Sequence, residues 1–189
     1  MMLEIRWHGR GGQGAVTAAE LLAKAAIAEG LWAQAFPAFG PERRGAPVLA
    51  FTRISDHPIK LRVQIYEPDV VAVLDPSLMG VTDVGEGLKQ GGVAVVNSAK
   101  DPSEFREVFP SASRIVAVDA TRVALEELKA PIVNTAMLGA VTRAIEDKIP
   151  LPLEKLEEAI LERFAKHLGE RNVRAVKRAY NEVRVWKVG

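Results

Sequence analysis

Short β-branched runs recur along the chain with helix-like stretches between or after them, and this alternation restricts the fold more than any other feature. The runs are "LEIRW" (3–7), "PVLAFTRI" (47–54), "VVAVL" (70–74), "VAVVN" (93–97) and "RIVAV" (114–118). Helical periodicity falls around 13–29, 119–129, 134–147, 153–167 and 171–181. Strands interleaved with helices read as α/β, and we expect a three-layer sandwich with a mostly parallel sheet and helices on both faces. "VVAVL" and "VAVVN" are apolar at nearly every position, as in strands covered on both sides. No repeat, low-complexity tract or Ser/Gly-rich linker divides the 189 residues, so residues 1–189 read as one domain.

Charge and composition remove several function classes. The formal net charge of +1 gives no field toward nucleic acid or an anionic membrane. No run reaches the roughly 18 apolar residues that a spanning helix needs. The first residues lack the basic, apolar and small-residue succession of a secretory signal, so a cytoplasmic chain is expected. There is no cysteine. Disulfides, thiol catalysis, zinc–thiolate sites and protein-held iron–sulfur clusters are therefore outside this chain's own chemistry. Abundant Lys, Arg and Glu beside few Asn and Gln lean toward a thermophilic source.

The segment "HGRGGQG" (8–14) follows the first run and opens a long helical stretch. Gly9, Gly11 and Gly14 have the spacing G-x-G-x-x-G, with Arg10, Gly12 and Gln13 between them. Glycine allows positive φ and close backbone approach. The helix that follows offers free N–H groups and a positive dipole end to an anion. Without a ligand, the same pattern is a tight strand-to-helix turn. A nicotinamide or flavin dinucleotide makes a further demand, an acidic residue about 20 residues on at the end of the second strand. The nearest acid, Glu29, precedes the candidate strand at 31–36, which runs out into Phe36–Pro37. The loop thus fits a phosphate but lacks the ribose clamp.

Other residues read blandly when taken alone. Arg43–Arg44, in the Gly/Pro-rich stretch "FPAFGPERRGAP", is either a phosphate-binding pair or a solvated one. Asn97 ends a strand and Asn134 starts a helix, both where α/β sheets gather ligand groups. Asn134, Asp75 and Asp119 also read as helix N-caps. His8, His57 and His167 have no nucleophile or carboxylate at a catalytic spacing. Trp7, Trp32 and Trp186 read as core or interface anchors.

Taken in order, "GRGGQG", "FPAFGPERRGAPVLAFTRIS", "EPDVVAVLD", "GGVAVVNSA", "APIVNTAMLGAV" and the tail "LPLEKLEEAILERF…NVRAVKRAY" resemble the gamma subunit of 2-oxoacid:ferredoxin oxidoreductases of the pyruvate and ketoisovalerate type, over nearly the whole chain. The resemblance implies a complex with alpha, beta and delta chains that converts a 2-oxoacid and coenzyme A to acyl-CoA and CO2 while reducing ferredoxin. It places thiamine diphosphate, magnesium and iron–sulfur clusters in the partner subunits. It gives this chain no catalytic residue but part of the coenzyme A site: Gly9, Arg10, Gly11, Gly12, Gln13, Gly14, one of Arg43 and Arg44, Asn97 and Asn134. A nicotinamide- or flavin-dependent oxidoreductase and a purely structural subunit stand beside this reading.

Overall fold

The computed structural model describes residues 1–41 and 43–189. Among the described residues, seven strands form one sheet: β1 (Met2–Arg10), β2 (Trp32–Pro37), β3 (Pro47–Ser55), β4 (Val70–Val73), β5 (Gly92–Asn97), β6 (Ala112–Val118) and β7 (Arg184–Lys187). Their order is β2-β3-β1-β4-β5-β6-β7. Five α-helices complete the chain: α1 (Ala15–Ala28), α2 (Ala120–Leu128), α3 (Asn134–Ile145), α4 (Leu153–Arg163) and α5 (Lys166–Glu182).

The α/β class is as expected, but the sheet is mixed. Pairs β1–β4, β4–β5 and β5–β6 are parallel. Pairs β1–β3, β2–β3 and β6–β7 are antiparallel. The reason lies in the connections. The described residues of the β2–β3 link, within 38–46, carry no helix, so β3 returns antiparallel and inserts between β2 and β1. The tail "VRVW" ends in strand β7 rather than in helix, because it pairs with β6 from Arg114↔Lys187 to Ala117↔Arg184.

Helices on both faces are realised unequally. Apolar side chains of all five α-helices enter one core, with Leu3, Ile5 and Trp7 of β1. The opposite core holds Val71, Val73, Ala94, Val96 and Ile115 under Leu78, Phe105 and Phe109. Its cover is two 3-10 turns, Pro76–Gly80 and Pro102–Phe105, and their loops. The β4–β5 and β5–β6 connections carry Gly80, Gly85, Gly87 and Gly91, then Pro102 and Pro110, which disfavour longer helices there.

Local chemistry explains the elements around the carboxyl end of β1. The small face of α1, including Ala15, Ala18, Ala19 and Leu22, is buried against the sheet. That closeness lets Thr52 Oγ1 donate to the Ala19 carbonyl at 3.1 Å, while Trp7 Nε1 donates to Thr52 Oγ1 at 3.0 Å. Asp119 caps α2, accepting from the Arg122 N–H at 3.0 Å. The helical stretches expected at 153–167 and 171–181 meet earlier than their spacing indicated. Phe164 is extended, and α5 starts at Lys166. Among the described residues no helix is long and apolar enough to cross a membrane.

β1 is a central strand, yet its alternation brings Glu4, Arg6, His8 and Arg10 to the thinly covered face. These polar groups are satisfied rather than solvated. Arg53, 1% exposed, donates to Glu4 Oε1 at 2.8 Å, to Gln34 Oε1 at 3.0 Å and to the Val63 carbonyl at 2.7 Å. Arg6 Nε donates to His8 Nε2 at 2.9 Å. Burial, and then the Arg6 cation, push the His8 imidazole down to about 3.

Candidate functional site: a glycine cradle and a basic loop

The segment after β1 turns sharply into α1. Gly12 and Gly14 adopt φ of 89° and 80°, in the left-handed region that favours glycine. Gly14 occupies the N-cap position of α1 without a side-chain cap, and the first turn contains no acid. Among the described residues the first amides of α1 therefore have no intrahelical or side-chain partner, the arrangement that attracts an anion.

Three of the candidate elements meet here. Arg44 bridges to Gly11, with Gly11 N–H donating to the Ala46 carbonyl at 2.8 Å and Gly45 N–H to the Gly11 carbonyl at 3.1 Å. A Cβ at Gly11 would collide with the Arg43 carbonyl, so glycine permits this approach. Arg43 and Arg44 are exposed, and neither guanidinium is hydrogen bonded to a described residue. From the other side, the Asn134 side chain packs against Gly14, its Cγ 2.9 Å from where a Cβ would stand. Asn134 is the first residue of α3, with Val133 in the cap position, and its Oδ1 accepts from the Thr135 N–H at 2.9 Å. It is therefore not the simple N-cap that its position in the sequence indicated. Beside Val16 of α1, a cleft of about 340 Å3 opens toward Phe39, Pro41 and Val48.

Arg10 and Gln13 point elsewhere. Arg10 donates from Nε to Asp75 Oδ2 at 3.1 Å, from Nη1 to the Gly45 carbonyl at 3.0 Å and from Nη2 to Ser77 Oγ at 3.0 Å. Gln13 Nε2 donates to Asp75 Oδ2 at 2.9 Å, and Gln13 Oε1 accepts from the Arg10 N–H at 2.7 Å. Asp75 also caps the 3-10 turn through Ser77. Burial pushes its carboxyl up. The Ser77 and Gln13 hydrogen bonds and the nearby Arg10 outweigh this and hold it below the ordinary aspartate range. Sequence reading found Asp75 only as a cap, because its partners lie far back in the chain.

Asn97 is also turned inward. Its Nδ2 donates to the Leu74 carbonyl and to Thr121 Oγ1, both at 3.0 Å, and its Oδ1 accepts from the Thr121 N–H at 3.3 Å. It ties the end of β4 to the start of α2. Among the described residues no group of three or more His, Asp or Glu is arranged to hold a metal.

These features define a class: an α/β chain with a glycine turn and uncapped amides at the start of its first helix. A sequence model of the pyruvate ferredoxin/flavodoxin oxidoreductase family matches residues 4–182. The common subunit gamma of the pyruvate/ketoisovalerate oxidoreductases of Thermococcus kodakarensis is 54% identical, over 99% of this chain and 100% of its own length. The crystal structure of the PORC subunit of pyruvate oxidoreductase from Thermotoga maritima superposes with a TM-score of 0.85. It is 40% identical and covers 98% of this chain and 99% of its own. The chain belongs to the gamma-subunit family of pyruvate and related 2-oxoacid:ferredoxin oxidoreductases. The same fold recurs in 2-oxoglutarate:ferredoxin oxidoreductase from Magnetococcus marinus, solved with 2-oxoglutarate, coenzyme A and succinyl-CoA bound. There the TM-score is 0.74 at 20% identity, over 95% of this chain and 30% of that one.

Proposed function

We propose that this chain supplies one wall of the coenzyme A site in a cytoplasmic pyruvate-type 2-oxoacid:ferredoxin oxidoreductase, assembled with alpha, beta and delta partners. The observation that carries the reading is the convergence of the Gly9–Gly14 cradle, the exposed Arg43–Arg44 pair and Asn134 at the first turn of α1. Coenzyme A carries a pyrophosphate and a 3′-phosphate. Backbone amides at a helix start and guanidinium forks are the groups that recognise phosphate. The complex joins a 2-oxoacid and coenzyme A into acyl-CoA and CO2 and passes electrons to ferredoxin. Thiamine diphosphate, magnesium and iron–sulfur clusters belong to the partner chains in this reading. A chain without cysteine offers no thiolate to a cluster. Its own residues bind and orient the acyl acceptor and exclude water.

Strand order weighs against the dinucleotide alternative. In that arrangement the second strand lies beside the first and ends in the acid that holds the ribose. Here β3 separates β2 from β1, which moves the end of β2 about 10 Å away at ordinary strand spacing. Glu29 sits in the turn between α1 and β2.

The test is steady-state kinetics of the assembled complex. A charge-assisted hydrogen bond is worth about 1.5–3 kcal/mol. Arg43→Ala/Arg44→Ala is therefore expected to raise the coenzyme A KM about tenfold or more, with 2-oxoacid decarboxylation unchanged. Unaltered coenzyme A kinetics refutes the assignment. In that case the structural alternative, in which the loops only hold a neighbouring chain, is favoured if Gly12→Val also leaves coenzyme A kinetics intact.

A further inference from the structure

We infer that Asp75 is a positioning residue for the anion cradle, and that Arg10 and Gln13 act through it rather than on the ligand. The inference rests on the coenzyme A reading above. Asp75 follows directly after Leu74 at the end of β4, and Leu74 N–H donates to the His8 carbonyl at 2.8 Å. The carboxylate thus stands on the rigid central part of the sheet, beside the strand that carries the cradle.

Its two oxygens divide the work. Oδ1 accepts from the Ser77 N–H at 3.0 Å and from Ser77 Oγ at 2.6 Å, which shapes the 3-10 turn. Oδ2 accepts from Arg10 Nε and Gln13 Nε2. The ring closes where the Arg10 N–H donates to Gln13 Oε1. Arg10 then reaches the Gly45 carbonyl and so ties the basic loop to the same anchor. Both long side chains of the glycine segment are drawn to this carboxylate. The cradle that remains is backbone, with Arg43 and Arg44 on its rim.

Two consequences separate this arrangement from an ordinary turn cap. The Arg10 cation is matched by the Asp75 anion, so the Asp75 carboxylate does not stand uncompensated against an incoming phosphate. The glycine loop is also held in one shape before the ligand arrives, which lowers the ordering cost of binding. Asp75→Asn distinguishes the two roles of the carboxylate. The amide oxygen can still accept from Ser77, while its NH2 group faces the donors of Arg10 and Gln13 and cannot accept from them.

The experiment uses the assembled complex, with coenzyme A and 2-oxoacid kinetics measured for Asp75→Asn, Arg10→Met, their combination and Arg43→Ala/Arg44→Ala. Asp75→Asn is expected to raise the coenzyme A KM about tenfold, with kcat and the 2-oxoacid KM unchanged. Arg10→Met/Asp75→Asn is expected to be no worse than Asp75→Asn alone, because both break one linkage. Amide exchange of residues 10–14 and 43–46 is expected to accelerate in Asp75→Asn. If Arg43→Ala/Arg44→Ala raises the coenzyme A KM and Asp75→Asn leaves it unchanged or lowers it, the inference is overturned and the coenzyme A reading stands. If the arginine pair has no effect, the coenzyme A reading itself fails. In that case faster exchange without a kinetic change reduces Asp75 to a structural anchor and overturns its role toward the ligand.

Discussion

Gly14→Ala probes the junction of the cradle with α3. Two costs add at this position. Gly14 has φ of 80° and ψ of 27°, and a left-handed conformation costs a non-glycine residue about 1–2 kcal/mol. The new methyl group also meets Asn134, whose Cγ would be 2.9 Å away. That side chain is 5% exposed and its Oδ1 holds the Thr135 N–H. Yielding therefore loses a hydrogen bond worth about 1 kcal/mol or strains the packing by a similar amount. The total is about 2–3 kcal/mol. Gly12→Ala is the control. Its φ of 89° carries the same backbone cost, but the nearest heavy atom to its Cβ is Arg44 Cγ at 3.9 Å. It is expected to lose only about 1–2 kcal/mol. Urea unfolding of the isolated chain reads the differences as midpoint shifts at constant slope. In Gly14→Ala/Asn134→Ala the methyl group has room, so the double variant is expected to lose about 1 kcal/mol less than the sum of the singles. Equal losses at positions 12 and 14, together with an additive double variant, would refute the packing argument.

Two further expectations concern the polar residues under the thinly covered face. His8 has its folded pKa pushed down to about 3 from an ordinary value of 6.5, so the unfolded chain binds the proton first as pH falls. The wild type should therefore lose stability relative to His8→Gln between pH 7.5 and 4.5, by about 2.5 kcal/mol. Denaturation of both chains across that range checks the sign, and parallel pH profiles count against it. Arg53→Met removes a buried cation that joins β1, β2, β3 and the segment at Val63. It leaves Glu4 with only the longer Lys89 contact at 3.5 Å. A loss of about 3–5 kcal/mol is expected, read by thermal or urea unfolding, and a loss below about 1 kcal/mol would show that Arg53 is not the tie it looks to be.

Much of this architecture is legible in the residues. "VVAVL" and "VAVVN" announce strands covered on both sides, because Val70 and Ala72 enter one core while Val71 and Val73 enter the other. The glycine spacing locates the turn into α1 because only glycine tolerates its backbone angles and the approach of Arg43–Arg44. Strand direction is less legible. "PVLAFTRI" has the same apolar pattern whichever way it runs, and its antiparallel insertion follows from a short connection and from pairing with β1. Asn97 ends a strand where α/β sheets gather ligand groups, yet its hydrogen bonds to Leu74 and Thr121 draw it inward. Arg10 looked free beside the glycines, and its partner Asp75 is 65 positions away. Such pairings depend on which strands become neighbours, and no local pattern encodes that.

The strand order also bears on how the chain assembles. β1, β2 and β3 close around α1 using only the first third of the sequence, and every later strand adds to the open edge that begins at β1. β4 adds to β1, β5 to β4, β6 to β5 and β7 to β6. As synthesis proceeds from the amino end, the sheet can grow outward from its middle, with strands waiting for a distant partner only where β1 awaits β4 and β6 awaits β7. The exposed hydrogen-bonding edge then moves ahead of the ribosome one strand at a time, until β7 ends it. The glycine turn and the basic loop thus come from the first strand and the segment before the third, while Asp75 and Asn134, which fix and flank them, follow later in the chain.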